Sequence, residues 1–109
     1  MIVVKIKSKD ENIVSVETSG HACYAKFGKD IVCSAVSAVV QTALIGLKKF
    51  SSCGVEYVVN EENGYLFFSV PQPQSEAEGI RQQAVLTTMV LGLQDIEMGY
   101  KAYLKVEVK

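Results

Sequence analysis

Several residue types that mark particular protein classes are scarce in this chain of 109 residues. It has no Trp, one His, two Pro and three Cys. An odd number of cysteines without a Cys-x-x-Cys spacing fits neither a disulfide framework nor a zinc ribbon. With 49% hydrophobic and 21% charged residues, the chain is too apolar for disorder. We therefore expect a single globular domain over residues 1–109.

An excess of one charge is also lacking, since 11 basic residues are balanced by 12 acidic ones. The net charge of −1 argues against binding to a nucleic-acid backbone, which requires a basic face. The first residues, MIVVKIKSKD, alternate apolar and charged side chains and contain no apolar core of a signal peptide. The reducing cytoplasm is therefore the expected compartment. The glycines form neither a Walker loop nor a GxGxxG motif, and we expect no cofactor.

One long stretch, Ile31 to Leu47, carries no formal charge and could be mistaken for a membrane span. It reaches only the lower length limit for spanning, and it contains polar residues such as Ser34 and Gln41. The rest of the chain supplies apolar surfaces that need a partner to cover them. A buried core helix is therefore the better interpretation, and we expect no membrane partner.

Hydrophobic periodicity predicts an α+β fold with the element order ββαββαβ, in which two helices accompany a mixed or antiparallel five-stranded sheet. The predicted strands are Met1–Lys7, Ile13–Glu17, Val55–Val59, Tyr65–Val70 and Tyr103–Val108. The predicted helices are Ile31 to about Phe50 and about Glu76 to Met98. Polar turns link the first two strands and the next two, as in hairpins. Residues 18–29 show no clear period and are predicted to form a loop, which the end of the second strand could enter.

Capping residues mark the ends of the predicted helices. Asp30 is a favourable N-cap for the first helix. Ser75 and Glu78 have the spacing of a capping box at the start of the second, and Gly99 is its predicted stop. The second helix carries one stripe of residues beside the polar residues Arg81, Gln82 and Gln83. The members of this stripe are Ile80, Ala84, Thr87 and Leu91.

The first helix begins with a cysteine in a chemically favourable place. If Asp30 is the N-cap, Cys33 is the third helical residue, where backbone amides lack helical acceptors and the dipole end is positive. These effects lower the pKa of a thiol and stabilise the nucleophilic thiolate. The same amides could serve as oxyanion donors. Cys53 follows the negative end of this helix, and Cys23 has no helix terminus to activate it.

His21 is the single imidazole that could act as a base for Cys33. A nucleophile and a base are the minimum for thiol acyl transfer, and Asp30 could either orient the imidazole or only cap its helix. Other interpretations remain open. Cys33 could be an inert core residue and His21 merely hydrogen-bonded. A metal site formed by His21, Cys23 and Cys33 is disfavoured, because there is no Cys-x-x-Cys pair and no second His.

The segment GHACYAKFGKDIVCSAVSA resembles the hallmark of the ribosomal-processing cysteine protease family, often called Prp. The matching residues are Gly20, His21, Ala22, Gly28, Asp30, Ile31, Val32, Cys33, Val36, Ser37 and Ala38. The resemblance extends over the whole chain. It implies that Cys33 is the nucleophile, that His21 is the general base, and that Asp30 has a weaker claim to a role.

The same resemblance implies a substrate and an assembly state. Members of the family remove an N-terminal extension from the twenty-seventh protein of the large ribosomal subunit, cutting after an apolar, Phe-containing stretch, and they are typically homodimers. Gly20, Tyr24, Phe27 and Gly28 would then belong to a loop that covers the substrate. The alternative hypothesis is a non-enzymatic, dimeric binding module that assists ribosome assembly.

Overall fold

Residues 1–20 and 31–109 are described in the computed structural model, and they form the predicted order ββαββαβ. The strands are β1 (Ile2–Lys9), β2 (Asn12–Ser19), β3 (Tyr57–Asn60), β4 (Tyr65–Ser69) and β5 (Leu104–Val108). The helices are α1 (Ile31–Phe50) and α2 (Glu76–Gly99). The α+β fold class is therefore confirmed.

The five strands form one mixed sheet in the order β3-β4-β2-β1-β5. The pairs β1–β2, β2–β4 and β3–β4 are antiparallel, whereas β5 runs parallel to β1. Both predicted hairpins are present, and β3 and β5 form the two edges. Because α2 lies between β4 and β5 in the sequence, it allows the chain to return in the parallel direction.

Both helices cover one face of this sheet. Alternate strand residues such as Val4, Val16 and Phe68 are fully buried beneath them, as the period of two requires. The α1 residues that enter the core recur at helical spacing and include Val32, Val36, Val40, Leu44 and Leu47. The buried strand residues and the buried helix residues pack together in one hydrophobic core.

Within the described ranges, α1 is the one helix that is long and apolar enough to cross a membrane by length and composition, with a mean hydropathy of 1.7 over its best window. Its core-facing side is nevertheless buried against the sheet and α2. The uncharged stretch is thus a core helix, as the sequence predicts.

The strand ends differ from the predicted ones in several places. Asp10 and Glu11 adopt φ of 52° and 67°, which makes a tight two-residue turn and lets β1 and β2 extend further than predicted. Residues 18 and 19 belong to β2 and not to the predicted loop, because they pair with both β1 and β4. Four residues that were predicted as strand ends lie outside the strands in the structure: Met1, Val55, Val70 and Tyr103.

The predicted end of α2 was wrong, and the residue stripe noted in its sequence is not the side that enters the core. Ile80 and Leu91, from that stripe, are 63% and 61% exposed. The core-facing side instead carries Glu78, Gln82, Leu86, Met89 and Leu93. Gly99 is still helical, and Tyr100 ends the helix with φ of −140°, its amide donating to the carbonyls of Ile96 and Glu97. No left-handed glycine is needed there.

Two buried polar residues of α2 form hydrogen bonds with the loop that follows α1 and with the segment between β4 and α2. The Glu78 amide donates to Ser75 Oγ at 3.1 Å, which confirms the cap, but the Glu78 carboxylate serves other partners. It accepts from the Ser52 hydroxyl, from the Ser52 amide at 3.1 Å and from the Gln74 amide at 3.2 Å. The Gln82 amide group donates to Ser51 Oγ and to the Pro71 carbonyl. These bonds explain why polar groups occupy the buried face.

Candidate active site

Cys33 is the third residue of α1, and its partly buried side chain packs against the core. The first-turn amides of an α-helix have no acceptors within the helix, and they form the positive end of its dipole. Ile31, which precedes the buried Val32, is 52% exposed, so the start of the helix meets solvent. The structure therefore places the partly buried Cys33 thiol in the first turn of α1, as the sequence predicts.

A groove runs beside Cys33, between the first half of α1 and residues of the strands β1, β2, β4 and β3. This Cys33 groove is lined by Ile2, Thr18, Gly20, Cys33, Val36, Ser37, Val40, Gln41, Val59, Glu61, Gly64, Tyr65 and Leu66. Its volume of about 170 Å³ lies below the range of about 300–1,000 Å³ that is usual for drug-sized ligands. The groove is therefore suited to one or two side chains of an extended peptide.

The α1 wall of the groove carries a polar stripe that starts at the cysteine. Cys33, Ser37 and Gln41 are spaced four residues apart and so share one face of the helix. Gln41 Nε2 donates to Ser37 Oγ at 2.7 Å. Because the serine oxygen accepts this bond, its hydroxyl proton can be donated to another group. Sequence reasoning missed both residues as site candidates, although their spacing from Cys33 was a usable signal.

The strand wall contributes a buried hydroxyl group. Thr18 lies on the helix-facing side of the sheet, between Val4 and Leu66. Its Oγ1 is buried, and within the described part of the chain it has no hydrogen-bond partner. Buried polar groups are usually satisfied, so this oxygen is a candidate contact for a bound peptide or water. The sequence-based prediction placed Thr18 in a loop and gave it no role.

Tyr65 lies at the rim of the groove, and a hydrogen bond holds its side chain on the outer face of the sheet. Its hydroxyl donates to Glu17 Oε2 at 2.9 Å. This hydrogen bond, together with partial burial and the negative charge of Glu17, raises the pKa of Tyr65 above its usual value. Tyr65 is therefore neutral at physiological pH and acts as a hydrogen-bonding group, not as a base.

Gly20 ends β2 at the mouth of the groove and has φ of +92°. A Cβ atom at this position would overlap the carbonyl oxygen of Met1. Only glycine fits both the backbone angle and the close approach. Gly20 was predicted as part of a substrate loop, and it does line the groove.

Comparison with known proteins gives the family. The family described as "Cysteine protease Prp" matches residues 1–105. The chain belongs to the Prp family of cysteine proteases. The ribosomal processing cysteine protease Prp of Bacillus subtilis is 32% identical over 100 residues, which cover 92% of this chain and 89% of that protein.

Two crystal structures of the essential ribosomal processing protease Prp from S. aureus have the same fold. The complex with a covalently linked product peptide superposes with a TM-score of 0.87 and 27% identity. The complex with a substrate peptide has a TM-score of 0.81 and 26% identity. Each comparison covers 100% of both chains. The resemblance found in the sequence is thus confirmed, and so is the fold.

The predicted Prp site is only partly within the described residues. Cys33 and Gly20 lie together at the groove. The remaining predicted site residues lie outside the described residues, so their roles stay predictions: His21, Asp30, Tyr24, Phe27 and Gly28. The alternative metal set also depends on two residues outside them, His21 and Cys23. The described residues contain no group of three His, Cys, Asp or Glu side chains that could hold a metal ion.

Cys53 lies in a different environment from Cys33. It is exposed in the segment that follows the C-terminal end of α1. It does not line the Cys33 groove. The two described cysteines therefore offer a comparison between a thiol at a helix start beside a groove and a thiol on open surface.

Proposed function

We propose that this protein is a cysteine endopeptidase that removes the N-terminal extension of the twenty-seventh large-subunit ribosomal protein. The observation that carries the proposal is the position of Cys33, in the first turn of α1 and beside an apolar groove, in a chain of the Prp protease family. The S. aureus family member has been crystallised with substrate and product peptides. This favours a peptide bond as the target.

In the proposed mechanism, His21 takes the proton of the Cys33 thiol and the thiolate attacks the carbonyl carbon of the scissile bond. First-turn amides of α1 donate to the oxyanion that develops. The protonated His21 then gives its proton to the leaving amine, which departs as the mature N-terminus. A water molecule, deprotonated by His21, hydrolyses the thioester and restores the thiol. Asp30 caps α1 or orients the imidazole.

The apolar lining of the Cys33 groove supports a preference for an apolar stretch before the cut. Ile2, Val36, Val40, Val59 and Leu66 provide carbon surface beside the thiol. Burial of an aromatic side chain there would be favourable by the hydrophobic effect. We propose that this groove accepts a Phe side chain of the extension.

The proposal includes a location and an assembly state. Ribosomes are assembled in the cytoplasm, so the reaction belongs there. We propose that the protein acts as a homodimer, because α1 and α2 expose an apolar surface away from the sheet. This outer helical face is formed by Ala38, Val39, Thr42, Ile45, Gly46, Ala84, Val85, Thr88, Leu91 and Gly92. No cofactor, nucleic acid or membrane takes part in the proposed reaction.

The deciding experiment is a cleavage assay followed by mass spectrometry. The extended ribosomal protein from the same bacterium is incubated under reducing conditions with the wild-type protein or with Cys33→Ser. We expect one cut beside the Phe-containing stretch, and at least about a thousandfold loss of rate in the variant. His21→Ala should give a similar loss, because the thiol then lacks its base.

Cys53→Ser is the matched control, since it makes the same replacement at the exposed cysteine away from the groove. It should cleave at the wild-type rate. Cleavage by Cys33→Ser at the wild-type rate would contradict the assignment of the nucleophile. If the wild-type protein binds the substrate without cutting it, the non-enzymatic assembly module becomes the better hypothesis.

A further inference from the structure

The two edge strands of the sheet, β5 and β3, differ in their charged side chains and in the hydrogen bonds of their outer backbone groups. At the β5 edge, the outward amide of Val106 donates to Glu97 Oε2 at 2.8 Å. Charged side chains also line this strand, where Glu107 pairs with Lys105 and Lys109 at 3.6 Å. Such features protect an edge strand against pairing with another chain. The β5 edge is therefore closed to strand addition.

The β3 strand itself carries no charged side chain, and the cation that contacts it is Lys48 of α1, whose Nζ lies 3.9 Å from the centre of the Tyr57 ring. The sequence of the strand is Tyr57-Val58-Val59-Asn60, and all four residues are exposed. The three apolar side chains are between 44% and 56% exposed. Among the described residues, none donates a side-chain hydrogen bond to the outer backbone of this strand. An uncharged, apolar and open edge is the kind of surface that pairs with an extended chain.

The ladder between β3 and β4 shows which backbone groups are available. The Ser69 amide donates to the Glu56 carbonyl at 3.1 Å, so residues 56 and 69 form a hydrogen-bonded pair. Hydrogen-bonded and non-hydrogen-bonded pairs alternate in an antiparallel ladder. The pairs at Tyr57–Phe68 and Val59–Leu66 are therefore non-bonded ones. The amides and carbonyls of Tyr57 and Val59 consequently point away from the sheet.

This open edge is continuous with the Cys33 groove. The Val59 side chain lies on the helix-facing side of the sheet, opposite Leu66, and both residues line the groove. An extended chain paired with Tyr57 and Val59 would direct alternate side chains toward the same space. The opposite wall of that space is the stripe of Cys33, Ser37 and Gln41.

We propose that the substrate peptide binds as an added strand on the β3 edge, and that its backbone pairs with the outward groups of Tyr57 and Val59. This inference rests on the proposed peptidase function and specifies how the substrate is held. The backbone pairing aligns the extended chain, and the alternate side chains that enter the groove give selectivity. Strand addition thereby holds the peptide along the groove that Cys33 lines.

The first test is a backbone N-methyl scan of a synthetic peptide that spans the extension and the mature N-terminus. Each N-methyl group removes one peptide amide donor. We expect kcat/KM to fall about tenfold at two positions, i and i+2 of the peptide, and to change little at the single residue between them. A scan without this alternation, on a peptide that the wild-type protein cleaves, would overturn the strand-addition proposal alone. No cleavage by the wild-type protein would overturn the peptidase function and this proposal together.

The second test compares Val59→Pro with Val59→Ala. Proline removes the outward amide, which makes no bond to β4, whereas alanine shortens the same side chain and keeps the amide. We expect KM to be about tenfold higher for Val59→Pro than for Val59→Ala, with similar kcat and similar melting temperatures. Equal KM values in two folded variants would contradict the proposal. If Val59→Pro alone converts a dimer into monomers, the edge pairs with a second copy, and the proposal is wrong. The N-methyl scan uses the wild-type protein and does not depend on how these variants fold.

Discussion

Gly20 connects a local backbone requirement with the position of the predicted site. Its positive φ and its contact with the Met1 carbonyl fix the path by which the chain leaves β2 toward His21. The sequence-based analysis selected Gly20 because of a resemblance. The physical reason is the backbone angle and the lack of space for a Cβ atom.

Gly20→Ala should therefore destabilise the protein and reduce cleavage. The left-handed angle costs an alanine about 1–2 kcal/mol, and displacement of the β1 backbone adds to this. We expect the free energy of unfolding to fall by at least about 2 kcal/mol in a denaturant titration. Gly54→Ala is the matched control, because nothing lies within 4 Å of its Cβ position and its φ is not positive. Equal stability of the two variants would contradict the argument.

At the residue scale, a local rule was sufficient for the start of α1, whereas the catalytic role of Cys33 stays a prediction. Cys33 was selected from its place at a helix start, and α1 begins at Ile31 as expected. Thr18 and Val59 were not selected, because their importance comes from elements that meet only in the folded chain. A groove formed by one helix and residues of four strands has no local sequence signal.

At the scale of elements, the order of strands and helices was predictable, but the face of α2 was not. Hydrophobic periodicity assumes that buried positions are apolar. In α2, however, Glu78 and Gln82 are buried because their side chains satisfy backbone and hydroxyl groups of the neighbouring loops. A rule based on apolar residues selects the wrong face in such a helix.

The hydrogen bonds of Glu78 predict a pH-dependent stability. The Ser52 hydroxyl and the amides of Gln74 and Ser52 hold the pKa of this carboxyl below its usual value, although partial desolvation opposes them. A carboxyl with a lowered folded-state pKa stabilises the protein above the unfolded-state pKa of about 4.3, and this stabilisation is lost as the pH falls through the folded-state value. The melting temperature should therefore fall in acid, and Glu78→Gln should reduce that part of the fall.

Thermal unfolding between about pH 2.5 and pH 7 measures this effect. At neutral pH, Glu78→Gln should melt below the wild-type protein, because an amide is a weaker acceptor than a carboxylate. The gap should close as the pH is lowered. Glu76→Gln, which removes an exposed charge from the same first turn of α2, is the control for the change of net charge. A constant gap for Glu78→Gln at every pH would contradict the linkage.

At the scale of the whole molecule, both helices cover one face of the sheet. The uncovered face of the sheet and the outer side of the helices are therefore the two large surfaces, and they differ in polarity. The uncovered face of the sheet presents polar pairs such as Lys5 with Glu17 and Glu107. The outer helical face instead presents Ile45 and Leu91, which are 67% and 61% exposed. Contiguous exposed apolar surface usually marks an interaction site. The helices therefore provide the better surface for self-association.

If the outer helical face forms the proposed homodimer, a charge introduced there should dissociate it. We expect sedimentation velocity to give a dimer for the wild-type protein and a monomer for Ile45→Lys and Leu91→Lys, because burying an unpaired ammonium group is unfavourable. Val58→Lys, at a 56% exposed residue on the opposite face of the sheet, should remain dimeric. A monomeric wild-type protein, or dissociation caused by Val58→Lys alone, would contradict this interface. Since Cys33 and Ile45 lie on one rigid helix, comparing cleavage by monomer and dimer would also show whether assembly affects the start of α1.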